Sequence, residues 1–480
     1  MTAHAYSIDG RTFSFESRLA NAAPIGSYVT IATENGTYLG QVLDSSLGAG
    51  IAASDSAAVP AISGRGRLLS QLVDEEFAGL DQSDVFGDGA VAAAAPELVA
   101  AHLSSSIGSS GVALGELQRP RGVAAQLNPA GFGRHTFLCG QSGSGKTYTL
   151  GVILERLLLE TEIKMCVIDP NSDYVNLGSV QNRESTRFSE SEYQQLARRY
   201  EALAAGIHVF GGEHADKRMQ VLFGRLSFRQ QTMVLGLDPI ADAEEYNAYV
   251  RIVRDLGNEG FTLGDVMTKI RSTFNDDARR LGLRIDNLGI QKQAIWAVDD
   301  EPVLEQLSSG WRMMVADTGS LPSSTEASIA SAALLTHLWD RRRDREPMIV
   351  VIDEAHNVCP QNPTDSNQAL ATETVVRIAS EGRKYGLYLL LSTQRPSKVH
   401  QNVISQCDNL LLMKMNSASD LQSLSDTFSY APKGLIGLAA GFGLGEGLAA
   451  GKIAPDPLLF KSGSRLTREG GSDVPSTWAR

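Results

Sequence analysis

The stretch FLCGQSGSGKTYT, at residues 137–149, constrains the fold of this chain more than any other feature. An apolar run at residues 135–139 leads into it, and a helical pattern of apolar residues continues from it to Leu157. Strand, glycine-rich turn and helix are the context that the phosphate-binding motif G-x-x-x-x-G-K-[ST] requires. Four residues match the defined positions of that motif: Gly140, Gly145, Lys146 and Thr147. The sequence therefore predicts a nucleoside triphosphate site here.

The residue types of this stretch suit the chemistry of a bound triphosphate. Glycines allow successive backbone N–H groups to turn towards the phosphates, and the N-terminus of the following helix adds partial positive charge. We expect Lys146 to reach the β- and γ-phosphates and the Thr147 hydroxyl to bind Mg²⁺, so ATP and Mg²⁺ are the predicted cofactors. The predicted ATP-binding residues are Gly140, Ser142, Gly143, Ser144, Gly145, Lys146, Thr147 and Tyr148.

The composition is that of an ordinary globular protein with room for two or three domains: 480 residues, 42% of them hydrophobic. A formal net charge of −12 argues against a protein that coats nucleic acid with its whole surface, although a local basic lining is compatible with it. The four cysteines are widely spaced, so we expect free thiols in a reducing compartment. Neither a signal peptide nor a membrane-length apolar run is visible, which predicts a cytoplasmic protein with no membrane contact.

The first part of the chain has the pattern of a small β-domain. Short β-type runs at residues 27–31 and 37–42 are separated by a turn that contains Asn35-Gly36, a strong hairpin signal. Further strands are expected at residues 64–69 and 111–117. The pattern predicts a small β-barrel over residues 1–118, with a role in assembly or docking because it carries no catalytic constellation.

The remainder, residues 119–480, has the pattern of an α/β core with a central, mainly parallel sheet. Mainly apolar runs typical of strands buried on both faces recur along it, at residues 164–169, 312–317, 348–352, 386–392 and 409–413. A polar region with helical apolar stripes separates the first two runs and predicts a helical insertion at about residues 180–310. Residues 456–480 are expected to form a loop-like tail in which Trp478 packs against another surface.

The first of these buried runs ends in the turn DPNSDY at residues 169–174. Ligands of open α/β sheets sit at the carboxyl ends of the strands, so Asp169 or Asp173 could serve the site. A turn rich in Asx residues and proline explains the same composition. The sequence leaves both interpretations open.

The run MIVVIDEAH at residues 348–356 has the pattern of a Walker B strand, which delivers two carboxylates to the edge of the sheet. We expect Asp353 to hold Mg²⁺ and Glu354 to orient and polarise the attacking water. Gln394, after the next apolar strand, is predicted to sense the γ-phosphate. Arg383 precedes that strand and is a candidate arginine finger for the site of a neighbouring subunit. The predicted catalytic residues are therefore Glu354, Arg383, Gln394 and Lys146.

A glycine-rich stretch, GFGLGEG at residues 441–447, superficially suggests a second, dinucleotide-binding loop. Such a loop follows a strand and opens a helix. The sequence predicts neither neighbour here, so this interpretation is rejected in favour of a turn between strands.

Taken together, these motifs resemble the HerA branch of the HerA/FtsK superfamily of ATPases. GQSGSGKT, IDPNSDY, VVIDEAH and EGRKYGLYLLLSTQRPS occur in the order typical of that family, and YVTIATENGTYLGQV is similar to its N-terminal HAS barrel. The resemblance implies a RecA-like core, a homohexameric ring, ATP-driven threading of double-stranded DNA, and a nuclease or other effector partner. One departure is Ser172-Asp173 where the family usually has Gly-Glu, which puts a direct catalytic duty of Asp173 in doubt.

Two functional hypotheses follow from this resemblance. The first is a DNA-translocating motor whose channel is lined by basic residues, with Lys217, Arg218 and Lys398 as candidate DNA contacts; a solvated surface loop is the alternative for the first two. The second is a ring scaffold whose ATP state regulates an effector in an antiviral defence complex. A monomeric nucleotide-dependent regulator is a third interpretation, which the finger-like Arg383 disfavours.

Overall fold

The computed structural model describes the chain with short gaps. The described residues are 3–18, 23–53, 56–74, 76–81, 84–108, 111–257, 260–298, 302–306 and 310–471. Trp478 therefore lies outside the described residues. The chain forms two compact units: residues 1–160 with 408–464, and residues 161–407 with 465–480.

The described residues form these strands, in chain order: β1 Ala3–Ser7, β2 Thr12–Arg18, β3 Tyr28–Thr33, β4 Gly36–Ala53, β5 Ser56–Val73, β6 Glu76–Ala78, β7 Phe86–Ala93, β8 Val112–Leu117, β9 Ala124–Leu127, β10 Thr136–Cys139, β11 Lys164–Asp169, β12 Ile207–Gly211, β13 Lys217–Arg218, β14 Met313–Asp317, β15 Met348–Ile352, β16 Leu387–Thr393, β17 Asn409–Met413, β18 Glu446–Gly451 and β19 Leu458–Ser462.

The α-helices are α1 Pro96–Ile107, α2 Lys146–Glu160, α3 Glu190–Ala204, α4 Phe228–Val234, α5 Ala243–Leu256, α6 Leu263–Ser272, α7 Asp276–Asn287, α8 Val303–Gln306, α9 Ser324–Asp340, α10 Ala355–Val358, α11 Ser366–Glu381, α12 Gln401–Ile404, α13 Ala418–Thr427 and α14 Lys433–Gly437. Several helices of the insertion begin with a side-chain cap, and at α3, α4 and α6 the cap is a reciprocal capping box.

The first unit contains the predicted barrel. Its strands follow the order β2-β1-β7-β3-β4-β5, and β5 pairs back with β2, so the sheet closes on itself. The hairpin between β3 and β4 turns at Glu34-Asn35, as the sequence predicts. Phe13 and Phe15 fill the interior because glycines face them: a Cβ on Gly66 would lie 2.1 Å from the Phe13 ring.

The same unit contains a second sheet, with the order β10-β17-β18-β19-β8-β9. Only the β10–β17 pair is parallel, and the remaining pairs are antiparallel. The barrel is attached to the turn between β18 and β19. There the Gln41 side-chain amide of β4 donates to the Pro457 carbonyl at 2.8 Å. His102 of α1, the helix after the barrel, meets Asp456 of the same turn at 2.8 Å in a buried pair.

The second unit is built on parallel strands in the order β13-β12-β14-β11-β15-β16. Every residue of β14 and β15 is buried, as their unbroken apolar sequences predict for strands covered on both faces. Helices α9 and α11 pack against each other in this unit. The predicted fold class, an α/β core with a mainly parallel sheet after a small β-barrel, is confirmed.

Three details of the prediction are wrong. Residues 111–117 add no barrel strand, because β8 pairs with β9 and β19 in the second sheet. The insertion is not purely helical, because β12 lies inside it and joins the parallel sheet beside β14. Part of the expected tail is the buried strand β19, which pairs with β18. The domain boundary between residues 118 and 119 stays a prediction.

A buried amide network at the start of β17 gives a stability prediction for the first unit. Asn409 is fully buried; its amide group donates to the Gly131 carbonyl and the Thr136 hydroxyl, and its oxygen accepts from the Ile453 N–H, each at 3.0 Å. Asn409→Ala leaves these groups unpaired and should lower the free energy of unfolding by about 2–4 kcal/mol. Urea unfolding measures this. The exposed Asn402 provides the control, because Asn402→Ala should change stability by less than about 0.5 kcal/mol; equal effects would contradict the network's role.

Candidate nucleotide-binding site

The predicted phosphate loop lies between β10 and α2 in the first unit. Gly143 and Gly145 have φ values of +73° and +88°, which residues with a side chain rarely adopt. Gly140 has no room for a Cβ, which would lie 2.6 Å from the Met413 side chain of β17. The glycine positions of the motif are therefore required by backbone conformation and by packing.

The loop is anchored to the chain that follows β17. Gln141 donates its N–H to the Lys414 carbonyl at 2.9 Å, and its side-chain oxygen accepts from the Asn416 N–H at 3.0 Å. The loop then enters α2 with Lys146 as its first residue, and Lys146 is buried. Ser142 and Gly143 are exposed at the tip, whereas Thr147 and Tyr148 are partly buried.

Acidic residues collect at the carboxyl edge of the sheet in the second unit. Three neighbouring strands contribute: β14 ends at Asp317, β11 ends at Asp169, and Asp353 follows β15. Because β11 and β14 are parallel and in register, Asp169 lies opposite Asp317. All three carboxyl groups are buried, so each needs hydrogen-bond donors.

The turn after β11 supplies donors to all three acids. Asp169 accepts the backbone N–H groups of Asn171, Asp173 and Tyr174 at 3.2, 3.1 and 2.8 Å. The Ser172 hydroxyl donates to Asp317 at 2.7 Å, and the Tyr174 hydroxyl donates to Asp353 at 3.2 Å. The DPNSDY turn therefore orients the acids of the two adjacent strands.

This arrangement explains the departure at Ser172. Its φ is +61°, a left-handed conformation that a glycine would adopt without strain. The Ser172 hydroxyl offsets that strain by its bond to Asp317, which a glycine could not make. Burial, with the nearby Asp353 carboxylate, raises the pKa of Tyr174 well above its usual value, so its hydroxyl remains a donor.

Glu354, predicted to orient the attacking water, and Gln394, predicted to sense the γ-phosphate, are in contact. The Gln394 side-chain amide donates to one Glu354 carboxylate oxygen at 2.9 Å, and its backbone N–H lies 3.3 Å from the other. His356 reaches the same carboxylate at 3.2 Å and the Thr393 hydroxyl at 3.0 Å. Glu354 itself has a φ of +42°, so the backbone at this position is strained.

Arg383 lies elsewhere in the second unit. It is exposed in a short 3₁₀ turn before β16, whereas Gln394 follows the same strand. The seven residues of β16 separate the two by about 23 Å. Arg383 is therefore remote from Glu354 of its own chain, and its predicted role as a finger stays a prediction.

The candidate DNA contacts do not form one patch. Lys217 and Arg218 form β13 at one edge of the parallel sheet, and Lys398 follows β16. Five strand spacings, about 24 Å, separate these positions. Lys217 also lies over the Phe210 ring and shares its cleft with Glu213 and Asp317, so its surroundings are mixed in charge.

Sequence reasoning did not find the roles of Asp317, Tyr174 and His356. Asp317 ends an apolar strand as Asp169 and Asp353 do, and this repeated pattern was a usable signal. The contact between Tyr174 and Asp353 joins residues 179 positions apart, and nothing local in the sequence indicates it. His356 follows Glu354 by two residues, but only the folded turn shows that its ring returns to that carboxylate.

The first unit has a phosphate loop between a strand and a helix, and the parallel strands of the second unit end in acidic residues. These features define the fold of a P-loop nucleoside triphosphatase. Residues 112–332 match the family model for the central domain of helicase HerA. The resemblance to the HerA branch is thereby confirmed as a similarity, which the family model places over residues 112–332.

Several curated relatives and a solved structure are similar to this chain. DNA double-strand break repair helicase HerA of Sulfolobus acidocaldarius is 23% identical over 374 residues, 75% of this chain and 70% of that protein. Its namesake from Sulfurisphaera tokodaii is 28% identical over 179 residues, 36% of this chain and 35% of that protein. Probable helicase MJ1565 of Methanocaldococcus jannaschii is 29% identical over 136 residues, 28% of this chain and 26% of that protein. The chain thus matches only about a quarter to a third of the length of MJ1565 and of the Sulfurisphaera tokodaii protein. A solved structure of VirB4 from Thermoanaerobacter pseudethanolicus covers 77% of this chain and 98% of that chain, with 16% identity and a TM-score of 0.49.

Within the described part of the chain, no helix is both long enough and apolar enough to span a bilayer. All four cysteines are buried and outside any disulfide, as predicted, and burial raises the pKa of Cys166 and Cys359 to about 12.

The buried Asp169 predicts a pH-dependent stability. Burial raises its pKa from 3.8 to about 7, against the opposing effect of its N–H donors. Between about pH 4 and pH 7, the folded protein therefore retains this proton although the unfolded chain has lost it. The contribution of the Asp169 site to the free energy of unfolding is complete below about pH 4 and is lost as the pH rises through 7. When the pH is raised from 5 to 8, the free energy of unfolding of the wild type, measured with urea, should fall by roughly 2–3 kcal/mol relative to that of Asp169→Asn. The exposed Asp340, changed to Asn, should show no such trend; a constant difference for Asp169→Asn would contradict the raised pKa.

Proposed function

We propose that this protein is an ATP-hydrolysing, hexameric ring motor that binds and moves double-stranded DNA together with an effector protein. The observation that carries the proposal is the Glu354 carboxylate, buried after a Walker B strand and hydrogen-bonded by Gln394, in a chain with a complete phosphate loop. The two HerA relatives are named DNA double-strand break repair helicases, which supports DNA as the substrate.

The phosphate loop would bind ATP through its backbone N–H groups, with Lys146 at the β- and γ-phosphates. Asp353 and Thr147 offer a carboxylate and a hydroxyl, the hard oxygen ligands that suit Mg²⁺. The Tyr174 hydroxyl would hold the Asp353 carboxylate in one orientation. A bound Mg²⁺ would neutralise negative charge on the phosphates.

Glu354 would accept a proton from the attacking water. Its bond to the Gln394 amide indicates how the two residues could be coupled. An amide that turns towards the γ-phosphate would release one carboxylate oxygen for the water. The nucleotide state would thereby control whether Glu354 is available as a base.

The DNA contacts, the ring and the partner rest on the family resemblance. Lys217, Arg218 and Lys398 would contact phosphates, which gives affinity that depends on salt and not on sequence. The closed barrel, attached to the turn between β18 and β19, would be the docking face for a nuclease or another effector.

ATP turnover with and without duplex DNA tests the motor hypothesis. We expect DNA to stimulate hydrolysis several-fold at low salt, with the effect falling steeply as salt rises. Glu354→Gln should retain ATP binding and lose hydrolysis by at least about 100-fold, because the amide cannot accept the proton. Asn402→Ala is the matched surface control.

Two outcomes would contradict these assignments. Normal turnover in Glu354→Gln would exclude Glu354 as the base. ATP turnover that DNA never stimulates would instead favour a scaffold whose nucleotide state regulates an effector. Light scattering should give a mass near six subunits, and a stable monomer with ATP bound would exclude the ring.

The position of Arg383 predicts complementation between subunits. Because Arg383 is about 23 Å from Gln394 of its own chain, it would act only on a neighbour's nucleotide. Arg383→Ala and Glu354→Gln should each abolish turnover alone. Rings mixed from equal amounts of the two should regain up to roughly a quarter of wild-type turnover, since that fraction of interfaces combines an intact Glu354 with an intact Arg383. Mixed rings that stay inactive would count against action across the interface.

A further inference from the structure

The loop that joins α14 to β18 carries an unusually exposed apolar residue. Leu444 lies in the glycine-rich stretch at residues 441–447, for which a dinucleotide-binding role was rejected. Its side chain is 69% exposed. At this exposure, the leucine buries only a small part of its apolar surface within the first unit.

This loop packs directly against the end of the phosphate loop. The Gly445 N–H donates to the Ser144 carbonyl at 2.9 Å. A Cβ built on Gly145 would lie 3.0 Å from the Gly445 nitrogen and 3.4 Å from a terminal carbon of Leu444. Leu444 is therefore beside the residues that would hold the nucleotide phosphates.

The loop is held in place from both sides. The Gly445 carbonyl accepts from the Ser462 N–H at 2.8 Å, which ties the loop to β19. The Gly443 N–H donates to the Glu446 carboxylate at 2.7 Å, and the Glu446 N–H returns to the Gly443 carbonyl at 3.1 Å. Gly445 has a φ of +72°, so the turn depends on glycine there. These bonds fix the backbone on each side of Leu444.

We propose that Leu444 is an apolar contact for the nucleoside part, the base and ribose, of the nucleotide that binds at the phosphate loop. This inference rests on the proposed function. The loop offers polar N–H groups to the phosphates, whereas a purine ring gains affinity mainly from apolar surface that it covers. An exposed leucine held beside Gly145 provides such a surface in the same compact unit as the phosphate loop. Leu444 would therefore favour a nucleoside triphosphate over an unsubstituted triphosphate.

Calorimetric titration of the full chain with two ligands tests the inference. One ligand is adenylyl imidodiphosphate with Mg²⁺, and the other is inorganic tripolyphosphate with Mg²⁺. Leu444→Ala should weaken binding of the nucleotide about fivefold, because part of the covered apolar area is lost, and leave tripolyphosphate binding unchanged. Leu444→Met, which keeps the apolar surface, should restore most of the nucleotide affinity. Leu283→Ala changes an exposed leucine of α7 in the second unit and should affect neither ligand.

The outcomes separate this inference from the proposed function. A wild-type chain that binds neither ligand would overturn the proposed function, and the Leu444 contact with it. If Leu444→Ala binds the nucleotide as tightly as the wild type does, the proposed contact between Leu444 and the nucleoside is overturned, and the proposed function is not. Equal weakening of both ligands would show that the substitution distorts the phosphate loop, which also overturns it. A change in subunit number with unchanged nucleotide affinity would identify Leu444 as a contact between subunits.

Discussion

The parallel register of β14, β11 and β15 is the constraint on which the second unit depends. It places three buried carboxyl groups, those of Asp317, Asp169 and Asp353, at one edge of the sheet. Burial of unpaired carboxyl groups is costly, so the turn after β11 must supply donors. Its backbone serves Asp169, and the hydroxyl groups of Ser172 and Tyr174 serve the neighbouring strands. The DPNSDY sequence, for which a turn and a functional role were both open, is a turn whose hydroxyl groups hydrogen-bond Asp317 and Asp353.

In the first unit, the backbone conformations that glycine permits are the corresponding constraint. Gly143 and Gly145 set the path of the phosphate loop, and Gly445 brings the loop before β18 against it. The hairpin of β18 and β19 meets the phosphate loop at this end. Its turn binds Gln41 of the barrel through Pro457 and His102 of α1 through Asp456. A single hairpin thus connects the nucleotide loop with the domain proposed to dock an effector, which gives a physical route by which one could influence the other.

Much of the fold is predictable because buried parallel strands leave unbroken apolar runs. The predicted bounds of β11 and β17 agree with the structure, and β16 is displaced by one residue. The sequence did not indicate β12 because the strand is short, follows Gly206, ends in Gly211 and is only partly buried. β8 has an ordinary strand pattern, but its partner β19 lies more than 340 residues away, and a strand pattern does not say which sheet the strand joins.

The sequence by itself determined the class of site: the glycine spacing, Lys146, Thr147 and the Asp353-Glu354 pair are local patterns with a chemical meaning of their own. The tertiary structure alone decided which groups support them. Tyr174 reaches Asp353, Gln394 reaches Glu354, and the loop around Leu444 reaches Ser144, in each case across tens to hundreds of residues. The reason is physical: hydrogen bonding and packing depend on distance in space, and strand order and register set that distance only after the chain has folded.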